Sequence, residues 1–203
     1  MESALNSGDT AWVLASAALV LIMIPGLAFF YGGMNRAKSV LNMIMMVMGA
    51  LFVVAILWVA YGYSIAFGSQ GDEPGKLIGS ITEYAWLDGL MVDNPENSLP
   101  AMAFVAFQLL FASITVGLIA GALADRVKYW AWMVFAGIWA TLVYFPVAHW
   151  VWGGGWIADL GTETVHVIDF AGGTAVHINA GAAALALAIV AGARIGWPKT
   201  PMR

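Results

Sequence analysis

Charge is what this chain has least of. Asp, Glu, Lys and Arg make up 10% of its 203 residues, while hydrophobic residues reach 62%. A soluble globular domain carries about 25% charged residues, and a body of this size could not cover its surface with so few, so an ordinary soluble domain is excluded. Cysteine is absent, which rules out disulfides and thiolate metal sites and leaves the redox compartment unread. The net charge of -4 offers nothing to hold a phosphate backbone, and no nucleic-acid partner is expected. A basic, cleavable signal peptide is missing too: Glu2 and Asp9 make the N-terminus acidic, and the first apolar run is too long for a signal core.

What the chain does have is apolar length. Between Asp9 and Arg36 lie 26 residues without Asp, Glu, Lys or Arg; the runs after Lys38, Glu96, Lys128 and Asp169 hold 33, 28, 30 and 24. A helix needs about 20 apolar residues to cross a hydrocarbon core about 30 Å thick. Each run passes that test once and none passes it twice. Lipid cannot satisfy exposed backbone polar groups, so each span must be helical. The expected fold class is an all-α, polytopic membrane protein with five transmembrane helices, near residues 11–32, 41–67, 101–122, 130–152 and 170–192. The 23 glycines and 10 tryptophans suit close helix contacts and interfacial aromatics.

Arg36 and Lys38 follow the first span, Arg126 and Lys128 the third, and Arg194, Lys199 and Arg203 the fifth; only Lys76 falls on the other side. This bias predicts an external N-terminus and a cytoplasmic C-terminus. The external loops then carry Asp72, Glu73, Glu83, Asp88, Asp93, Glu96, Asp159 and Glu163. The plain account is that acids sit outside because basic residues are kept inside; the sharper one is a weak cation-attracting vestibule. From charge alone the plain account is preferred. An odd number of spans reverses the chain, so a second five-span unit would arrive inverted, as in many transporters.

The third span places Phe104, Phe107, Phe111 and Thr115 on one helical face, where simple packing is the ordinary explanation. Gly117 and Gly121 form a GxxxG pair that favours close helix contact. The fourth span ends His149-Trp150-Val151-Trp152-Gly153-Gly154-Gly155-Trp156. Spacing favours an interfacial tryptophan belt, although one ring could turn inward as a cation–π platform. The fifth begins Asp169-Phe170-Ala171-Gly172-Gly173-Thr174-Ala175-Val176-His177-Ile178-Asn179-Ala180. Asp169 is placed to cap the helix. His177, eight positions on, should lie about 12 Å deeper. Intramembrane ionisable residues face cavities or proton paths by default, and that role is preferred here over a neutral hydrogen bond to a neighbouring helix. For His149 and His166, near the external boundary, the structural role is preferred.

These blocks, with Phe107-Gln108-Leu109-Leu110-Phe111, Gly117 to Arg126 and Tyr31-Gly32-Gly33-Met34, resemble the ammonium transporter (Amt/Mep/Rh) family over essentially the whole chain. The resemblance implies that Phe107 and Trp152 wall an external ammonium-recruitment site supported by Asp169. It implies that Phe111 is one of two stacked gating phenylalanines, and that His177 is the first of twin histidines lining the pore. It also implies a homotrimer in the plasma membrane (the inner membrane in a Gram-negative bacterium), with a cytoplasmic PII-type regulator as a further partner. Family members have two inverted five-helix halves and one more helix, whereas this sequence stops after the fifth; it is expected to be the N-terminal half, residues 1–203 forming one transmembrane domain. The second phenylalanine, a site hydroxyl and the second histidine would belong to the other half.

Two function classes follow: a transporter of ammonium or ammonia, and an ammonium-sensing receptor module that uses the same fold to regulate a cytoplasmic signalling domain. An enzyme is not expected, because the sequence offers no nucleophile–base pair and no ligand cluster beyond isolated histidines. No cofactor is expected.

Overall fold

The computed structural model describes residues 5–69, 77–92, 98–162, 165–194 and 196–199. Among them, five helices are long and apolar enough to cross a membrane: α1 (Ser7–Gly33), α2 (Ala37–Phe67), α3 (Ala101–Leu123), α4 (Tyr129–Trp152) and α5 (Gly173–Ala191). The only paired strands described are a two-residue hairpin, β1 (Gly161–Thr162) against β2 (Val165–His166), between α4 and α5.

The observed bounds match the apolar runs closely, and the differences have local causes. Helix α1 starts earlier than expected because the Asn6 side chain accepts from the N–H groups of Gly8 and Asp9 at 2.8 and 3.2 Å, closing orphan donors of the first turn. Helix α5 starts later, at Gly173. Gly172 stands in the left-handed region at φ 77°, which breaks the helix before it. A side chain there would be strained in backbone and would also press on Val176, 2.7 Å from a Cβ.

Helix α3 is central: it packs against α1, α2 and α5, while α2 also packs on α4. Lipid tails are as apolar as the side chains, so close fit and hydrogen bonds hold such helices together. Both are visible. A Cβ on Gly121 would stand 2.7 Å from the Tyr31 ring, and one on Gly62 2.5 Å from Phe145. The Tyr31 hydroxyl donates to Leu118 O at 3.0 Å, and the buried indoles of Trp132 and Trp58 donate to Met46 O and Val105 O at 2.7 and 3.3 Å. On the side carrying most basic residues, Arg36 pairs with Asp125 at 2.8 Å, tying the α1–α2 turn to the α3–α4 turn. On the opposite side His149, only 3% exposed, bonds Ala66 O through Nδ1 at 3.0 Å, and Trp150 donates to Leu77 O at 2.6 Å. His149 therefore has the structural role expected of it.

Three of the five helices contain a π-turn: Trp58–Gly62 in α2, Ala140–Tyr144 in α4 and Gly173–Ile178 at the start of α5. Each adds a residue to a turn and shifts everything beyond it by about 100° relative to a regular helix.

Candidate functional site

The C-terminal end of α4, the start of α5 and the N-terminal half of α3 converge. Asp169 precedes α5, and its carboxylate accepts three backbone N–H groups: Gly173 to Oδ1 at 2.8 Å, and Thr174 and Ala175 to Oδ2 at 2.8 and 3.0 Å. A carboxylate is well suited here, because the unpaired N–H groups of a helix start carry partial positive charge. Asp169 thus caps the helix as its sequence position predicts, acting from four residues before Gly173.

Trp152, the last residue of α4, is the tryptophan that turns inward. It is partly buried, and its indole N–H donates to Asp169 O at 2.8 Å. Trp150 and Trp156 pair with each other instead, ring centroids 5.7 Å apart. The Trp152 ring stands 6.3 Å from Phe111 at 66°, and Phe111 stands 4.9 Å from Phe107 at 76°. These tilted geometries suit ring quadrupoles. Phe107, Phe111, Trp152 and Asp169 therefore form one connected group.

The expected four-residue face of α3 divides. Phe104 packs edge-on against Phe67 of α2, centroids 5.1 Å apart. Thr115 is buried and donates to Phe111 O at 2.6 Å, satisfying itself within its own helix. Only Phe111 meets Trp152, with Phe107 packed on Phe111.

Beyond Phe111 an apolar cleft of about 310 Å³ opens between α1, α3 and α5, and His177 lines it with Phe111, Met23, Leu27, Phe30 and Val176. His177 is exposed in this cleft. The helix begins at Gly173, so His177 lies four residues into α5, within its opening π-turn. Its N–H reaches back five residues to Gly172 O at 2.9 Å, the π-type bond that sets its direction. The α1 wall of the cleft carried no polar or motif signal and was missed by sequence reasoning.

Of the acids in the loops expected outside, Glu83 accepts from Ser69 N and Oγ at 2.6 and 2.8 Å. Partial burial raises its carboxyl, but hydrogen bonds from Ser69 and Tyr84 outweigh that and hold it below the usual carboxylate range. Asp88 and Asp159 are exposed. Asp72, Glu73, Asp93, Glu96 and Glu163 lie outside the described residues. Among the described residues no group of three or more His, Asp or Glu could hold a metal ion.

A family model described as the Ammonium Transporter Family matches residues 11–203. An ammonium transporter of Mycobacterium tuberculosis is 57% identical over 222 aligned positions, covering 98% of this chain and 45% of its own length. The crystal structure of Candida albicans Mep2 superposes with a TM-score of 0.79 at 35% identity, over 94% of this chain and 40% of that one. A structure titled Sensor Amt Protein superposes with a TM-score of 0.80 at 26% identity, over 92% of this chain and 44% of that one. The chain thus spans somewhat under half the length of the relatives it matches.

Proposed function

The chain belongs to the ammonium transporter family, and on that premise we propose that it forms the first inverted half of a multi-pass plasma-membrane protein moving ammonium or ammonia. The observation that carries this reading is the joining of Phe107, Phe111, Trp152 and Asp169 directly above a cleft containing His177. Aromatic faces attract a small cation by about 0.5–2 kcal/mol, more when water is excluded. Trp152 and Phe107 are the recruiting walls. The Asp169 carboxylate, held by three N–H groups, supplies the negative field behind them. Phe111 closes the route below. An apolar passage penalises an ion far more than a neutral amine, so a proton leaves before ammonia passes. His177 then offers a ring nitrogen as hydrogen-bond donor or acceptor in an otherwise apolar wall.

The basic side faces the cytoplasm, the N-terminus lies outside, and the second half completes the pore. The working unit is a homotrimer, with a PII-type regulator docking on the cytoplasmic face. A second reading, ammonium sensing, is favoured by one observation, the likeness to the structure titled Sensor Amt Protein.

The test is ammonium-driven uptake into vesicles holding the full-length protein. Saturable uptake that loses rate or selectivity in His177→Ala supports transport. Ammonium binding with no uptake supports sensing and overturns it. Labelling of single cysteines at Ser69 and Lys128, both exposed, checks sidedness in a chain with no cysteine of its own: external reagent should modify only the first.

A further inference from the structure

The Arg126 guanidinium lacks a matching anion among the described residues. It belongs to the turn between α3 and α4, and its Nε and Nη1 are shielded from water with no hydrogen-bond partner there. Guanidinium N–H groups buried in this way are costly, because they give up water and gain nothing. The adjacent acid is already taken: Asp125 accepts from Arg36 and Ser39. It is also the one acid in the three segments that carry seven of the eight basic residues, 34–40, 124–128 and 192–203. Beside Arg126 a cleft of about 350 Å³ runs between the ends of α3 and α5 and the start of α4, with Leu123, Val127, Phe135, Leu187 and Val190 as an apolar wall. Membrane-length helices end or begin at this level, at Leu123, Tyr129 and Ala191, which puts the guanidinium at the boundary of the apolar layer. Lys128 and Trp130 follow it in the chain, both exposed, and both are residue types suited to a headgroup region. The cleft shares no residue with the one lined by His177, and it opens on the α4 side of α5 rather than the α1 side.

We propose that this cleft holds an anionic phospholipid of the leaflet on the basic side, its phosphate on Arg126 and one acyl chain along the apolar wall. Phosphate oxygens are charge-assisted acceptors that match the unmet guanidinium N–H groups. Basic pockets between helices at this level take anionic headgroups. The two halves of the site select together. A free phosphate would satisfy Arg126 and leave the wall bare. A zwitterionic lipid would bring its own ammonium toward Arg126 and Lys128. An anionic lipid satisfies both the charge and the wall. The pore cleft opens on the other flank of α5, so this site is separate from the route of ammonium. The bound lipid would also join the α3–α4 turn to the end of α5, two segments whose side chains meet across the cleft.

The experiment measures binding to the full-length protein in detergent by native mass spectrometry, for wild type, Arg126→Gln, Arg126→Lys and Val190→Trp. The probes are phosphatidylglycerol, phosphatidylcholine and soluble glycerol 3-phosphate. Val190 is 84% exposed, so a larger ring there fills the cleft without overpacking the core; this variant keeps the charge and guards against a folding failure of the others. Phosphatidylglycerol should bind about tenfold or more weakly in Arg126→Gln, as expected for lost hydrogen bonds to a charged group. It should weaken less in Arg126→Lys, which keeps the charge, and should weaken in Val190→Trp. Phosphatidylcholine should bind the wild type less tightly and be unmoved by Arg126→Gln. Wild-type affinity for phosphatidylglycerol in a folded Arg126→Gln overturns the site and assigns the guanidinium to another part of the protein. Equal losses for both lipids overturn it as well. Glycerol 3-phosphate binding as tightly as phosphatidylglycerol, with no effect of Val190→Trp, shows a free-phosphate site and overturns the lipid. None of these readouts involves ammonium, so the transport reading stands or falls separately.

Discussion

Trp152 donates its indole N–H to the backbone carbonyl of Asp169 at 2.8 Å, so the end of α4 and the approach to α5 are joined at the residue whose side chain caps α5. The ring is thereby fixed against Phe111, and its orientation depends on a contact 17 residues along the chain. Trp152→Leu keeps an apolar side chain but loses the ring face and this bond. In the full-length protein the ammonium concentration for half-maximal uptake should rise about 2- to 30-fold, the equivalent of 0.5–2 kcal/mol of cation–π attraction. Unchanged uptake at every concentration would return Trp152 to a purely interfacial role.

Asp169→Ala should loosen the first turn of α5. It removes the acceptor for three N–H groups, a change worth about 0.5–2 kcal/mol at helix starts. Hydrogen exchange at Gly173, Thr174 and Ala175 should speed up. Asp169→Asn, which keeps one oxygen, should fall between. Equal protection in all three proteins would mean the cap does not hold the turn.

The Arg36–Asp125 pair predicts an acid sensitivity. Burial by itself raises the Asp125 carboxyl. Hydrogen bonds from Arg36 and Ser39, with the charges of Arg36 and Lys38, outweigh it and hold the group below the usual carboxylate range. The folded protein therefore binds this proton less readily than the unfolded chain. The contact contributes fully above the unfolded value, near 4, and is lost as pH falls from there through the folded value. With side chains only 18% and 6% exposed, Arg36→Gln should cost about 1–3 kcal/mol at neutral pH. Thermal unfolding in detergent should show the wild type losing stability below about pH 5 more steeply than Asp125→Asn. Parallel pH curves for the two would refute the assignment.

Gly62→Ala tests a close contact between α2 and α4. The added methyl would meet the Phe145 ring at 2.5 Å, and overpacking of this kind costs about 1–3 kcal/mol. Phe145→Leu in the same chain should recover part of the loss. A double variant no more stable than Gly62→Ala alone would place the strain elsewhere.

Spans, loops and the cap were legible because each is a local property. Charge-free length decides what lipid accepts, and the Asp169 cap needs only the next few N–H groups. The aromatic stripe of α3 was legible as a face but not in its assignments. Phe104 and Phe107 lie three residues apart, yet one meets Phe67 of α2 and the other meets Phe111 one turn along its own helix, which in turn meets Trp152. Tyr144 gave no sign at all, since an isolated tyrosine in an apolar run reads as packing of any depth until the fold buries it completely.

By itself the sequence determined five membrane-length helices and their family, because hydropathy and motif order are properties of the chain read in one dimension. Residue spacing left open which tryptophan turns inward; the resemblance pointed to Trp152 and His177, and the tertiary structure alone supplied their contacts. A ring or imidazole direction depends on helical phase, and the π-turns in α4 and α5 shift that phase by about 100° each without interrupting the apolar run. It depends equally on partners distant in sequence, such as the Asp169 carbonyl for Trp152 and the α1 wall of the cleft for His177.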